Sequence, residues 1–486
     1  MGRTFASLKY FNYRVWFFSA LVANTGLWMQ RIAQNWLVLA DLTNNNQFWV
    51  GLVTALQFLP TIFLMPLGGS LADRVDKRKL LILTQLAQLL LGVGLGLLVL
   101  FNLASIAWVC VFALLLGAVA SIDNPPRLVF ITELVPARYL PNAVGLNSMS
   151  FNLARLVGPG LAGLLIAEIG TGWVFMLTGA VFLVTMSALF ILRADEYYPT
   201  GLAGKKPEKK VSTLQGIMDG VRYVNRRGDL MIIFFVVGLT SMLAMNTPLT
   251  TANMSRAVFG QNAGQFGAVG SIVAIGSFSG AVVSARVTKQ PRVRAVVWAC
   301  LGLGIATGLS AIAPTFIAYC VTVVPIGFFM VLALTSANTG IQMSVGPEVR
   351  GRVVSLYQTV LQGVTPLGSL LIGWVSQACG ARWGTALGAF AAFLAVGVSY
   401  ILGRSMWNLE IHYRIRHPFE VEILGPLEHH EVHAAGRGND GTGTGTGAGH
   451  GDGAGMDTSR GSGQGGPDDA ARPHPDDGSG GAASRS

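Results

Sequence analysis

Apolar stretches of 18 or more residues recur from about Val15 to Gly403. Each is long enough to cross a hydrocarbon core of about 30 Å at a helical rise of about 1.5 Å per residue. Backbone groups find no water inside a bilayer, so only α-helices and closed barrels cross it. The runs lack the period-two alternation of barrel strands, which leaves an all-α membrane protein. Composition agrees: 12% of the residues are charged, against roughly 25% in globular domains. Cys110, Cys300, Cys320 and Cys379 all fall inside apolar runs, where a thiol is a small hydrophobe. Arg3 and Lys9 lead straight into the first run without a small-residue cleavage pattern, so no cleaved signal peptide is expected.

Twelve spans are expected, at 14–41, 48–72, 79–101, 105–127, 140–168, 171–193, 230–254, 262–286, 293–313, 315–343, 349–377 and 383–403. Two alternatives bear on this set: a first span interrupted by Arg31, and a ninth and tenth that are almost continuous, separated only by Pro314 and its neighbours. Lys and Arg gather in cytoplasmic loops, which tests the count. Loops after odd-numbered spans hold only the single residues Arg256 and Arg382. Loops after even-numbered spans hold Arg74, Lys77, Arg78 and Lys79, then Arg127 and Arg138, a central cluster, Arg286, Lys289, Arg292 and Arg294, and finally Arg350 and Arg352. This alternation implies twelve transmembrane helices with both termini in the cytoplasm. The net charge of +10 is thereby assigned to loop orientation and anionic membrane lipid, and nucleic acid is not an expected partner.

The expected domains are an N-terminal six-helix half over 1–193, a cytoplasmic linker over 194–229, a C-terminal six-helix half over 230–403 and a cytoplasmic tail over 404–486. In the linker, Leu214, Ile217, Met218 and Val221 stand at helical spacing, the pattern of a helix lying in the interface. Gly69 and Gly280, Pro136 and Pro347, and Asn35 and Asn246 are each 211 residues apart, and each pair occupies equivalent places in the two halves. Repeated halves with a substrate site between them are a transporter architecture. From about residue 436 the Gly-, Ser-, Asp- and Thr-rich tail buries too little surface to offset ordering entropy, so it is expected to be disordered. All seven histidines follow residue 403, with His429, His430 and His433 clustered there. An unstructured tail gives that cluster no fixed metal geometry, so neither a metal nor a cofactor is expected.

Between the second and third spans lies Gly69-Ser70-Leu71-Ala72-Asp73-Arg74-Val75-Asp76-Lys77-Arg78-Lys79. This loop resembles the signature of the major facilitator superfamily, with Asp76 in place of the usual second glycine. The resemblance implies a conformational latch at Gly69, Asp73, Arg74 and Arg78, with Arg127 suggested as the partner of Asp73. The second-half equivalent keeps Gly280 but has Ser284 in place of the aspartate, so the latch is asymmetric. The fifth span carries Ala154-Arg155-Leu156-Val157-Gly158-Pro159-Gly160-Leu161-Ala162-Gly163, which is similar to the superfamily's antiporter motif. Gly158, Pro159 and Gly163 permit a bend and close helix packing, and the resemblance associates them with export.

The likeness extends over about residues 3–403 to the subgroup of enterobactin exporter-like bacterial efflux permeases. It is carried by Gly26-Leu27-Trp28-Met29-Gln30, Asp123-Asn124-Pro125-Pro126-Arg127 and Asn142-Ala143-Val144-Gly145-Leu146-Asn147-Ser148. The subgroup implies a multi-pass protein of the bacterial inner membrane that exports siderophores or drug-like metabolites, coupled to protons and functional as a monomer.

Polar residues inside the spans mark a substrate pathway, because a charge at mid-bilayer costs about 2.5–3.5 kcal/mol. Asn24, Trp28, Arg31 and Asn35 form one stripe of the first span, and Ser148, Asn152 and Arg155 one stripe of the fifth. Asn246, Asn338, Gln358 and Gln362 are candidates in the second half; helix-to-helix hydrogen bonding is the competing reading for the neutral side chains. Arg31 and Arg155 remain charged and can grip carboxylate or phenolate groups, with Trp28 as an aromatic wall. Proton-coupling candidates are Asp41, Asp123 and Glu168, although Asp123 could equally pair with Arg127 or cap its helix.

The expected function is export of a small amphipathic or anionic compound by alternating access, through proton antiport. The alternatives are uptake or facilitated diffusion of an organic anion, and a membrane-anchored scaffold using the tail. An enzyme is not expected, since the spans carry no His or Cys cluster and no phosphate-binding Gly-x-x-x-x-Gly-Lys loop.

Overall fold

The computed structural model describes residues 3–198, 213–286, 293–407, 411–414 and 420–423. The side-chain placements of Asp73, Arg74 and Asn152, the burial of Gly69, and residues 424–486 with their histidine cluster lie outside that set. Helix α1 (Phe11–Trp36) runs unbroken through Arg31 and continues as a π-helical turn, Leu37–Leu42. It is followed by α2 (Gln47–Arg74), α3 (Lys77–Leu100) and α4 (Ile106–Leu134). Polar side chains start the last three: Asn46 accepts from the Phe48 amide, Asp76 from that of Lys79 and Ser105 from that of Trp108. Asp76, the departure from the loop signature, is therefore the N-cap of α3, which satisfies an otherwise orphaned amide.

Helix α5 (Leu140–Ile191) comprises two spans that meet at Gly170, whose φ of +81° suits a residue without Cβ. The linker helix α6 (Thr213–Asn225) is amphipathic. The next span is interrupted: α7 (Gly228–Leu243) stops before Asn246, then α8 (Thr247–Asn253) begins with Pro248 in its first turn and ends in a second π-helical turn, Met254–Val258. Then come α9 (Ala263–Arg286), α10 (Val293–Ala311), α11 (Phe316–Ser344), the broken pair α12 (Pro347–Gly363) and α13 (Thr365–Cys379), and α14 (Ala381–Trp407). Among the described residues, hydropathy alone marks 10 helical stretches able to span a membrane. Two spans within α5, together with α1, whose polar stripe lowers its average, bring the crossings to the expected twelve. Beyond α14, β1 (Ile411–Arg414) and β2 (Glu420–Ile423) pair antiparallel with Ile411 opposite Ile423, a small element not expected from the sequence.

The two halves share their construction. Gly380, with φ +101°, joins α13 to α14 as Gly170 joins the two spans of α5. In the first half, a Cβ on Gly117 of α4 would lie 2.3 Å from the Gln57 carbonyl oxygen of α2; in the second, one on Gly327 of α11 would lie 2.0 Å from the Val273 carbonyl oxygen of α9. Bare backbone contact thus holds each half together, the packing mode that lipid-embedded helices favour.

Between the halves, α2 packs on α13, and α5 on α9. A Cβ on Gly51 would meet the Ser369 carbonyl oxygen at 2.4 Å, and one on Gly163 would meet the Gly267 Cα at 2.4 Å. Both contacts lie near the end remote from the basic loops. There one buried apolar cluster draws on both halves, including Trp36, Val50, Ala162, Leu249, Phe266 and Ile372. Toward the basic end the core divides. Tyr13, Trp16, Phe130 and Leu189 form a cluster within the first half, whereas Val237, Ile341, Val353 and Tyr357 form one within the second. Among the described residues, the halves share an apolar cluster at the far end and keep separate ones toward the basic loops.

Candidate substrate pathway

Where the divided core meets the shared one, α1 and α5 bring three candidate side chains, Trp28, Arg31 and Arg155, together. The Gly158 virtual Cβ lies 2.8 Å from Trp28 Cβ, so α5 abuts α1 there, with Arg155 one turn away. The Arg31 guanidinium lies 5.4 Å from the Trp28 ring and 4.6 Å from Phe58, and the Arg155 guanidinium lies 5.7 Å from the Trp28 ring. Phe151 meets Trp28 edge-on at 6.0 Å. These distances are within cation–π reach.

Neither guanidinium forms an ion pair with a carboxylate among the described residues. Arg155 donates from Nη2 to Met330 Sδ at 3.2 Å, a weak acceptor contributed by the other half. Arg31 Nε and Trp28 Nε1 are buried without a hydrogen-bond partner. Two cations and an indole N–H beside π-faces form a donor-rich, acceptor-poor site. Such a site complements an anion attached to an aromatic or apolar body.

The other pathway residues divide by role. Asn35 accepts from Thr54 at 3.3 Å, and beside it Gln57 donates to Gln34 at 2.6 Å. Asn246 donates to the Met242 carbonyl at 2.6 Å at the α7–α8 break, which makes it a local cap. Asn338 accepts from Gln342 at 3.0 Å. Asn24, Gln358 and Gln362 are half-buried, while Ser148 is exposed.

The carboxylates are not at the arginines. Asp41 and Glu168 are exposed, and Asp41 accepts from Thr171 at 3.2 Å. Asp123 is buried and accepts from Thr84 at 2.5 Å and Gln85 at 3.0 Å, and it is paired with Arg127 one helical turn along α4. Arg127 also lies over Trp16 at 5.8 Å. Among the described residues it is Asp123 that engages Arg127; the side chain of Asp73, the other partner considered, lies outside that set. Arg78 donates to the Phe190 carbonyl at 3.3 Å, and Lys77 pairs with Glu133 at 2.8 Å.

Sequence reasoning missed Phe58 and Met330, apolar residues with no signal to separate them from ordinary core. It also passed over Gln34, Gln57, Thr84 and Gln85, although the criterion that selected Asn35, a polar side chain in an apolar span, would have found them.

Comparison with known proteins assigns the fold and the family. Residues 2–416 match the family of transmembrane secretion effectors. The chain is 26% identical over 372 residues to a staphyloferrin A transporter of Staphylococcus aureus, covering 75% of this chain and 88% of that one. It is likewise 26% identical to the multidrug efflux pump Tap of Mycolicibacterium fortuitum, covering 79% and 92%. The enterobactin exporter EntS of Escherichia coli is 23% identical, covering 63% and 71%. Among solved structures, a bacterial homologue of the human lysosomal transporter Spinster, inward-facing and unoccupied, superposes with a TM-score of 0.62 at 16% identity, covering 80% of this chain and 96% of that one. The D-xylose–proton symporter superposes with a TM-score of 0.61 at 13% identity, covering 79% and 96%. With this doubled six-helix bundle and a match over most of its length, the chain belongs to the transmembrane secretion effector family of major facilitator transporters.

Proposed function

We propose that this protein exports a small amphipathic anion, of the siderophore or drug-like class, across the bacterial inner membrane by alternating access coupled to proton entry. The observation that carries the reading is the pair of guanidiniums, Arg31 and Arg155, both over Trp28 and without a carboxylate partner among the described residues. A buried cation without a counter-charge is expensive, and an anionic substrate supplies the missing charge. The basic end, where the core divides, is the cytoplasmic side on this reading, so the site is loaded from the cytoplasm. Siderophore and multidrug efflux relatives support the outward direction. The chain works as a monomer on this reading, since a single chain brings Arg31, Arg155 and Trp28 of the first half against Met330 of the second.

Energised inverted vesicles test it with salicylate as the probe. Accumulation that collapses on adding a protonophore is expected. Accumulation indifferent to the proton gradient removes the antiport, and movement only down the salicylate gradient favours facilitated diffusion instead.

A further inference from the structure

Two arginines break the charge rule at the far end of the bundle, and the structure treats them differently. Arg382 donates to the Ala311 carbonyl at 2.9 Å, closing the C-terminus of α10, a structural use that explains its presence. Arg256 has no such use. It sits in the π-helical turn that ends α8, with Nε buried and unpartnered and only a 3.5 Å contact from Nη1 to the Gln261 carbonyl. Its guanidinium lies 5.8 Å from the Trp36 ring, across the boundary between the halves. Phe266 of α9 covers Trp36, stacked at 5.5 Å and 16°.

Further orphans share this turn of chain. Both polar atoms of Asn253 and the hydroxyl of Ser255 are buried without partners, although these residues are only 1% and 0% exposed. Buried polar atoms are nearly always satisfied, and a run of exceptions calls for an occupant. π-Helical turns concentrate at functional positions. Asp41, on the corresponding π-helical turn of α1, is electrostatically coupled to Arg256 but makes no ion pair with it among the described residues; its carboxylate is held by Thr171.

We infer that Arg256 and Trp36 form a second anion station on the exit side, sealed by Phe266 in this conformation, which receives the substrate's anionic group after it leaves Arg31, Arg155 and Trp28. The inference rests on the export reading above. It repeats the chemistry of the central site: an arginine over an indole, its Nε buried and without a partner. Trp28 and Trp36 lie on the same helix, eight residues or about 12 Å apart along its axis, a single step for a small aromatic carboxylate. Asp41 supplies a competing negative charge that keeps the station from retaining its cargo.

Full-length protein in inverted vesicles provides the test, using salicylate and its neutral analogue salicylamide. Arg256→Gln is expected to slow salicylate transport about ten-fold and salicylamide transport by less than about two-fold, with Arg256→Lys recovering part of the loss. A parallel loss for both probes overturns the station and makes Arg256 a gate support. A binding measurement covers poor folding of that variant. In the Arg31→Gln/Arg155→Gln background, Phe266→Ala should uncover the station and restore salicylate binding, and adding Arg256→Gln should remove it. No restored binding overturns the inference. If Arg31→Gln/Arg155→Gln leaves salicylate binding unchanged in the first place, the central-site reading fails as well, so the two failures are distinguishable.

Discussion

Arg155 sits at the boundary between two hydrogen-bonding regimes, with a thioether as its present acceptor. Exchanging sulfur for a carboxylate oxygen is worth about 1.5–3 kcal/mol, the range of charged hydrogen bonds. Arg155→Ala should therefore weaken salicylate binding roughly 10- to 100-fold by equilibrium dialysis, with salicylamide little affected. Arg155→Lys should recover only part, because a point charge cannot present the planar fork. Asp123 makes the opposite case. Its oxygens are engaged by Thr84, Gln85 and Arg127, so Asp123→Asn strands a largely buried guanidinium and should cost about 3 kcal/mol of stability. A thermal melt of the solubilised protein will read this, and pairing the change with Arg127→Met should relieve much of the loss; no relief would dismiss the ion pair as the cause. The Asp123–Arg127 spacing was legible in the sequence, as was the Trp28–Arg31 stripe. The arrival of Met330 from 175 residues away was not, because helical periodicity fixes which face a residue occupies but not which helix comes to meet it.

At the level of elements, the glycines of α5 serve two neighbours. Gly158 admits Trp28 of α1, and Gly163 admits Gly267 of α9. Gly163→Ala places a methyl against backbone that cannot rotate away, an overpacking that costs about 1–3 kcal/mol. The far end should open, lengthening spin-label distances measured across it between α5 and α9. Gly145→Ala is the matched control, since nothing lies within 4 Å of its virtual Cβ, and equal distances in both variants would refute the close-packing account. Hydropathy and loop charge made the spans legible, and α1 runs through Arg31 as the continuous first span does in the expected set, without the alternative interruption there. The breaks at α7–α8 and α12–α13 went unread although Pro248 and Pro366 marked both, each in the first turn of the resumed helix, where proline is tolerated. Long apolar runs conceal such breaks because hydropathy averages across them.

The whole molecule sets a cost on its own motion. Its two halves share one apolar cluster at the far end and keep separate clusters toward the basic end. Deleting residues 424–486 touches none of these, so vesicle transport should stay within about two-fold of the full chain, as expected for a tail too polar to join a core; loss of transport would instead favour the scaffold reading. On the alternating-access reading, opening the far end breaks the shared cluster, and closing the basic end forms another like it. Heat capacity follows exposed apolar area. An exchange that hides at one end what it reveals at the other therefore leaves heat capacity nearly unchanged. The populations of the two states, read by spin-label distances between 5 and 40 °C, should give a straight van't Hoff line, in contrast to the curved line expected of unfolding. A transporter built this way would respond to temperature with one constant enthalpy, so that the ratio of its two faces measured at two temperatures foretells it at any other in the range.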